Sequence, residues 1–505
     1  MINNEMLSSN PDDKPQSNCA VVGIYGHPQA AVMTYYMLHS LQHRGQETAG
    51  ITTFFKDDNI WKYAYHRKKG LVLNIFEDPK IFSEKLIGNM AIGHNKYATR
   101  NNIMDSNLQP FNIHYANGIL SLSHNGCLTN ANALRKELEN KGAIFNSTID
   151  SELFLHLIAH SKKSTQVEQI LEALTVTKGA YSLALLTEEG LVAARDPHGV
   201  RPLSIGKLNF VDENNEQQTA YVVASETCAF DMIGAEEVRS VKHNELIVID
   251  DETLKTGKIK SHNILPQTPT AHHCIFEYIY FARPDSRVFG HNVDKVRRKF
   301  GKNLAEEHPV TATKDGKKVT VISVPDSGNT SALGYARVNA EENKVDSVFE
   351  IGLIRSHYVG RTFIQPGQDN RQFKVKSKFN PVKGVIEDRN IVLVDDSIVR
   401  GTTAKALIKL IRNANPAKLQ MRITSPPVVC PCHYGMDFPT KKELIANNFN
   451  NIKEIEEEIG VDSLEYISIE KMLESVPKDE GVDYCIACFT GDYPIEVDPE
   501  AISEK

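Results

Sequence analysis

The run Ile391-Val-Leu-Val394, Asp395-Asp396-Ser-Ile-Val-Arg-Gly-Thr-Thr403 and Ala404 to Ala414 admits few folds. Four apolar residues read as a buried strand, a Gly/Thr/Ser turn follows, and Leu407, Ile408 and Ile411 lie at helical spacing. Strands alternating with helices in this way build a parallel sheet. The loop offers backbone N–H groups and hydroxyls to a phosphate, with the helix dipole behind them. Asp395 and Asp396 would repel each other as core fillers. They are better suited to accept hydrogen bonds from sugar hydroxyls or to stand beside a Mg²⁺ bound to pyrophosphate. A tight strand-to-helix turn with solvated acids is the plain alternative.

A weaker copy of the unit lies upstream: Val319 to Val324, then Pro325-Asp-Ser-Gly-Asn-Thr330, then a helix from Ser331. Two such loops facing one ligand would hold a larger phosphate ester than either alone. The segment Arg355 to Lys383 carries Arg355, Arg361, Arg371, Lys374, Lys376, Lys378 and Lys383 and lacks periodicity over its middle. It reads as a mobile cationic lid over a polyanion, against the alternative of a solvated basic loop.

The rest of the chain has a different grammar. Residues 1–18 are polar and have neither an apolar core nor an Arg-rich amphipathic pattern, so they resemble no export signal. At Cys19 the sequence turns abruptly apolar. Short strand-like runs at Tyr181 to Leu186, Tyr221 to Ala224 and Glu245 to Ile249, with helical patterns near 29 to 42 and 130 to 160, predict a layered α+β unit. Ile264 to Ala271 reads as a linker. Helices are expected at Lys441 to Ala446 and Ile452 to Ile459 in the charged tail.

At 505 residues the chain is long enough for two or three cores. A net charge of −7 gives no general attraction to polyanions, which disfavours a nucleic-acid binder, and no apolar run is long enough to cross a bilayer. A cytoplasmic location follows as the expectation, and there the eight cysteines suggest thiol chemistry or metal ligation rather than disulfides.

Cys19 alone is a packing residue by default. It becomes a nucleophile if residues 1–18 are removed, because a terminal α-amino group titrates near 8 and takes the thiol proton through a water. His124-Asn-Gly-Cys-Leu128 supplies two oxyanion donors, the amide of Asn125 and the backbone N–H of Gly126, although Asn-Gly by itself is an ordinary turn.

Val392 to Thr403 resembles the phosphoribosyl pyrophosphate motif of type I phosphoribosyltransferases. Cys19-Ala-Val-Val-Gly-Ile, Leu41 to Gly50, Gly93-His-Asn-Lys-Tyr-Ala-Thr99, Gln109-Pro-Phe and His124-Asn-Gly resemble the N-terminal-nucleophile glutaminase domain. With Glu277-Tyr-Ile-Tyr-Phe-Ala-Arg-Pro-Asp-Ser286, the resemblance spans nearly the whole chain and is to the glutamine phosphoribosylpyrophosphate amidotransferase family. It implies an αββα N-terminal-nucleophile sandwich over 19–260, an α/β type I phosphoribosyltransferase domain with a parallel sheet over 270–440, and a helical tail over 441–505.

The implied reaction is the first step of purine synthesis: phosphoribosyl pyrophosphate, glutamine and water give 5-phosphoribosylamine, glutamate and pyrophosphate. The resemblance assigns Cys19, Asn125 and Gly126 to catalysis and Lys96, Asp150 and Arg44 to glutamine, with Asp150 on its α-amino group. It assigns Asp326 and Ser327 to pyrophosphate, Asp395 and Asp396 to ribose and Mg²⁺, and Ser397, Arg400, Gly401, Thr402 and Thr403 to the 5′-phosphate. It further implies a homotetramer inhibited by purine nucleotides, with no nucleic-acid or membrane partner.

Three positions depart from the family pattern. Lys96 stands where Arg is usual and neutralises a carboxylate without gripping it bidentately, a task Arg100 is placed to share. Cys127 replaces the common Asn, and Gly328 a hydroxyl residue. One subgroup carries a [4Fe–4S] cluster, and its four ligand positions are cysteine here: Cys274, Cys432, Cys485 and Cys488. Cys430 is a rival ligand and a Cys₄ zinc site a rival centre. Among whole-chain readings, the rivals are a sugar-phosphate amidotransferase, which would lack the Asp395-Asp396 loop, and a non-catalytic regulator that binds phosphoribosyl pyrophosphate or nucleotides.

Overall fold

β1 (Ala20–Tyr25) is buried on both faces, and its pleat shows how the first half is layered. Ala20, Val22 and Ile24 pack beneath the helix Ala30–Ser40, whereas Val21 and Tyr25 join a second core between two sheets. The computed structural model describes residues 19–96, 104–310, 318–343, 345–356, 378–436, 438 and 440–498.

The strands following β1 are β2 (Thr48–Asp57), β3 (Ile60–Lys69), β4 (Met90–Lys96), β5 (Phe111–Tyr115), β6 (Gly118–Leu128) and β7 (Gly179–Thr187). They continue as β8 (Gly190–Arg195), β9 (Ser204–Val211), β10 (Gln217–Ala224), β11 (Glu236–Ser240), β12 (Glu245–Ile249) and β13 (Lys260–Asn263). One sheet has the order β11-β9-β10-β1-β4-β2-β3 and the other β13-β12-β8-β7-β6-β5. Every pairing in both is antiparallel. The helices Ala131–Asn140, Ser151–His160 and Gln166–Val176 cover the outer face of the second sheet. The result is the expected αββα sandwich. The helical pattern of 130 to 160 is two helices, and the break between them places Asp150 at the start of the second.

The second half opens with β14 (Ala271–Cys274), then the short pairs β15 (Arg287–Val288) with β16 (His291–Asn292) and, later, β19 (Leu353–Arg355) with β20 (Phe379–Pro381). Its main sheet comprises β17 (Val319–Ser323), β18 (Ser347–Phe349), β21 (Asn390–Asp395), β22 (Lys418–Ile423) and β23 (Ser463–Tyr466). Their order is β18-β17-β21-β22-β23, all parallel. Val392 and Val394 face one core, with Phe300 and Tyr335 from the helices Val293–Glu307 and Asn329–Glu341. Ile391 and Leu393 face the opposite one, with Leu407 and Ile411 of the helix Thr402–Arg412. That two-sided burial accounts for the continuous apolar run.

The tail departs from expectation in two places. Lys441 to Ala446 is not a helix but two single 3₁₀ turns, Lys441–Glu443 and Ile445–Asn447, because the chain is drawn onto the phosphate loop by Ile445 N–H to Val399 O at 2.9 Å. Ile452–Ile459 is helical as expected. β23 then adds to the parallel sheet, so no boundary at 440 separates the tail from the transferase half. Finally β24 (Val482–Cys485) pairs in parallel with β14, in a register that sets Cys274 opposite Cys485.

Candidate active site

The glutaminase residues gather at one end of the sandwich. Cys19 immediately precedes β1, Lys96 ends β4, and Asn125 and Gly126 lie on β6. Burial pushes the Cys19 thiol up; Lys96, Arg201 and Arg44 oppose that shift and Asp150 adds to it. The thiol is therefore within electrostatic reach of both residues assigned to glutamine's charged ends.

Each of these side chains is held by a local device. Asp150 accepts the N–H of Leu128 at 2.7 Å. Next to it, Ser151 Oγ meets His124 Nδ1 at 2.9 Å and Gln109 Nε2 at 3.1 Å, while Gln109 Oε1 accepts the N–H of His124 at 2.7 Å. This closed ring fixes the strand just before Asn125. His94 Nε2 donates to the carbonyl of His124 at 3.0 Å, and burial pushes that imidazole down to about 3, so it is a neutral donor.

Asn125 is 1% exposed, yet its Nδ2 meets no acceptor among the described residues. A buried amide without an acceptor costs about 1–3 kcal/mol. Such a group is suited to a charge that exists only during a reaction. Gly126 has φ +149°, and a Cβ there would fall 2.0 Å from the carbonyl oxygen of Ala180, so only glycine fits.

Arg44 is a correction to the expected glutamine contact. Its side chain is 0% exposed and lies beneath the nucleophile rather than open to a ligand. The guanidinium bonds Glu277 at 2.8 and 2.9 Å, pairs with Glu226, and donates through Nε to the carbonyl of Cys19 at 3.3 Å. Arg201, also buried, meets Glu277 at 3.2 Å and donates to the carbonyl of Tyr434 at 2.8 and 3.1 Å. Glu226, Glu277, Arg201 and Tyr434 received no role from the sequence. The available signal was a charge set inside an apolar run, as in Ile275-Phe-Glu-Tyr-Ile.

On the transferase side, β17 and β21 are neighbours with Ser323 opposite Val394, so both phosphate loops leave the carboxyl edge of the sheet side by side. The Ser327 hydroxyl donates to Asp396 Oδ2, and Ser397 Oγ donates to Asp396 Oδ1 at 2.7 Å. Asp395 Oδ1 accepts the N–H of Asp396 at 2.9 Å, and Arg355 pairs with Asp326 at 2.6 Å. Gly401 caps the helix Thr402–Arg412 with φ +78°, turning the backbone of Arg400 to Thr403 around its N-terminus. Arg400 is steadied by Glu443 at 3.3 Å.

A Cβ at Gly328 would lie 2.8 Å from Val394 O and 2.9 Å from Val324 O, which explains glycine at that departure from the family pattern. Nothing in the structure explains Cys127. Arg361, Arg371, Lys374 and Lys376 of the expected lid, Arg100 and the leader 1–18 lie outside the described residues.

Cys274, Cys432, Cys485 and Cys488 all line one small apolar cavity, whose other walls include Val200, Phe276, Tyr434, Met436 and Phe438. Cys430 is not among its walls, and its sulfur would instead lie 3.3 Å from a Cβ at Gly491. Cys432 Sγ accepts the N–H of Tyr434 at 3.3 Å.

Comparison with known proteins bears on this arrangement. Residues 94–231 match a glutamine amidotransferase domain family. A chloroplast amidophosphoribosyltransferase of Arabidopsis thaliana is 44% identical over 485 residues, 96% of this chain and 81% of that protein. The amidophosphoribosyltransferase of Bacillus subtilis is 42% identical over 483 residues, 95% of this chain and 94% of that protein. A Methanothermobacter thermautotrophicus amidophosphoribosyltransferase is 41% identical over 498 residues, 98% of each. Among solved structures, the B. subtilis glutamine phosphoribosylpyrophosphate amidotransferase complexed with ADP and GMP superposes with a TM-score of 0.82 at 42% identity, covering 95% of this chain and 98% of that one. A structure described as the allosteric regulatory enzyme of purine biosynthesis gives 0.84 at 42% identity, covering 95% and 97%.

Proposed function

The chain belongs to the amidophosphoribosyltransferase family, and from that premise we infer that Cys19, freed by removal of residues 1–18, releases the ammonia that the Asp395-Asp396 half adds to phosphoribosyl pyrophosphate. The activity is that of the first step of purine biosynthesis. The observations that carry the assignment of residues are the Cys19 thiol within electrostatic reach of Lys96 and Asp150, and the buried Asn125 amide without an acceptor among the described residues.

Lys96 takes the α-carboxylate of glutamine and Asp150 its α-amino group. The α-amino group of Cys19 accepts the thiol proton, and sulfur bonds to the side-chain carboxamide carbon. The oxygen becomes an oxyanion facing Asn125 Nδ2 and the N–H of Gly126. The C–N bond breaks as the proton passes to nitrogen, so ammonia leaves and a thioester remains. Water then cleaves the thioester to glutamate. Asp326 and Ser327 hold the pyrophosphate of the second substrate, Asp395 and Asp396 its ribose hydroxyls, and residues 397–403 its 5′-phosphate. Ammonia bonds to the sugar's anomeric carbon, and pyrophosphate departs with the bonding electrons. Asp395 and Asp396 would stand beside a Mg²⁺, which when bound would supply positive charge for the pyrophosphate.

The four cavity cysteines fit a [4Fe–4S] cluster. No three His, Cys, Asp or Glu side chains among the described residues converge as ligands of a single ion, yet four thiols open on one apolar space. Four thiolates on one apolar space are the donor set that such a cluster would take. Arg201 lies close enough to Cys274 and Cys432 to be influenced by their charge, which suits an anionic centre. Such a cluster would tie the linker, the transferase half and the tail together. The reading extends to a cytoplasmic homotetramer regulated by purine nucleotides, as the nucleotides in the B. subtilis complex suggest. No helix of the described residues is long and apolar enough to cross a membrane.

Intact mass and paired assays test the assignment. A chain beginning at Cys19 that releases glutamate faster with phosphoribosyl pyrophosphate present supports it. A chain still beginning at Met1 with no glutaminase activity favours the regulator.

A further inference from the structure

The reaction scheme leaves unused a loop that lies outside the glutaminase half and touches its centre twice. Residues 432–436 follow the parallel-sheet strand β22 and carry Cys432. The carbonyl of Tyr434 is held by Arg201, Arg201 by Glu277, Glu277 by Arg44, and Arg44 by the carbonyl of Cys19. The next residue, Gly435, has φ +99°, and a Cβ there would lie 3.0 Å from C, 3.1 Å from Cα and 3.2 Å from O of Gly126. One turn thus reaches the carbonyl of Cys19 by a buried ionic chain and leaves no room for a side chain against the Cα and carbonyl of Gly126.

We propose that the Tyr434–Gly435 turn is a positioning element of the glutaminase centre. Gly435 packs against the Cα and carbonyl of Gly126, limiting rotation of that residue and so fixing the direction of its N–H, and Tyr434 holds Cys19 in register through Arg201, Glu277 and Arg44. An oxyanion donor acts within a narrow window of distance, near 2.7–3.1 Å, so a shift of a few tenths of an ångström in Gly126 is felt in rate. The ionic chain has the stiffness the role requires. Two guanidiniums and the carboxylates of Glu226 and Glu277 neutralise each other in three ion pairs whose side chains are exposed by no more than 1%, and a buried set of this kind holds its geometry because breaking it strands a charge. The turn also carries a cluster ligand's hydrogen bond, Tyr434 N–H to Cys432 Sγ, so it spans both regions of the molecule.

The inference rests on Asn125 and Gly126 being the oxyanion donors. Its test is Gly435→Ala in the full-length enzyme, assayed with glutamine and with ammonia as nitrogen source on the same preparation. Expected are a fall in glutamine-dependent kcat of about tenfold or more, a glutamine KM within about twofold, and retained ammonia-dependent turnover. Equal losses with both nitrogen sources, or no loss with either, would overturn the proposal. Arg201→Lys keeps a charge beside Glu277 but loses the two-point hold on Tyr434, and it is expected to show the same split should the alanine variant not fold. Asn125→Ala separates the two levels: full glutaminase activity in it sinks the oxyanion assignment itself, whereas loss there with unaffected Gly435→Ala and Arg201→Lys sinks only the positioning role.

Discussion

The Ser327 hydroxyl donates a hydrogen bond to the Asp396 carboxylate across 69 positions of sequence, and with it the two phosphate loops become one site. The pairing follows from β17 and β21 being adjacent and parallel, which brings both loop starts to the same sheet edge. A ligand carrying phosphate at both ends of a ribose is what two such loops accommodate.

Asp396→Asn preserves shape but removes the charge on which the Ser327 and Ser397 hydroxyls converge. Phosphoribosylamine formation is expected to fall about 100-fold with glutamine and with ammonia alike, together with a higher KM for phosphoribosyl pyrophosphate. A loss confined to the glutamine-driven reaction would contradict the assignment.

Lys96 is half-buried at the end of β4, where the close approach of Gly45 to its backbone fixes its position. An ammonium neutralises a carboxylate at a point, whereas a guanidinium grips both oxygens. Lys96→Arg is expected to lower the KM for glutamine several-fold, and steady-state kinetics showing an unchanged KM would count against glutamine's carboxylate lying there.

Cys485→Ser should remove iron and inorganic sulfide from anaerobically purified protein and lower Tm by about 5 °C or more, since β14 and β24 are joined at Cys274 and Cys485. Cys430→Ser should change neither, because its sulfur faces Gly491. Zinc without sulfide in the unaltered protein would replace the cluster with a mononuclear site.

Glu226 sets an acid limit on stability. Burial acts to push its carboxyl up, but His43 and Arg44 prevail and hold it well below the usual carboxylate range. On acidification the unfolded chain therefore takes the proton first. The contribution to stability is complete above the unfolded value of about 4.5 and is lost progressively as pH falls below it. Glu226→Gln is expected to be less stable near neutrality and to show a flatter decline below about pH 4.5. Urea midpoints measured across that range decide it, and an acid slope identical to that of the unaltered chain would refute the role.

What could be read from the sequence was what is local. The strand, the acid pair and the glycine turn of 391–403 are contiguous, so the phosphate loop could be placed before any tertiary contact was known. Asn125-Gly126 is contiguous too, but it lies within strand β6 rather than in the turn that Asn-Gly by itself suggests. Arg44 was misjudged because its partner Glu277 is 233 positions away, and only the packing of the two halves shows that its guanidinium is committed. The Lys441 to Ala446 segment has helical composition, but its Thr440–Glu443 capping box is followed by a turn that tertiary contact with Val399 redirects. β23 is four residues long, too short for its alternation to distinguish a strand from a loop.

β1 is an interior strand, with β10 on one side and β4 on the other. Newly cut chain ends usually fray, which would scatter a terminal amine over many positions. Here Ala20 to Tyr25 pair with β4 and Val22 to Tyr25 also with β10, so severing the peptide before Cys19 would yield an end already immobilised by the sheet. The amides of Val21 to Tyr25 should consequently exchange with solvent among the slowest in the molecule, before and after processing alike.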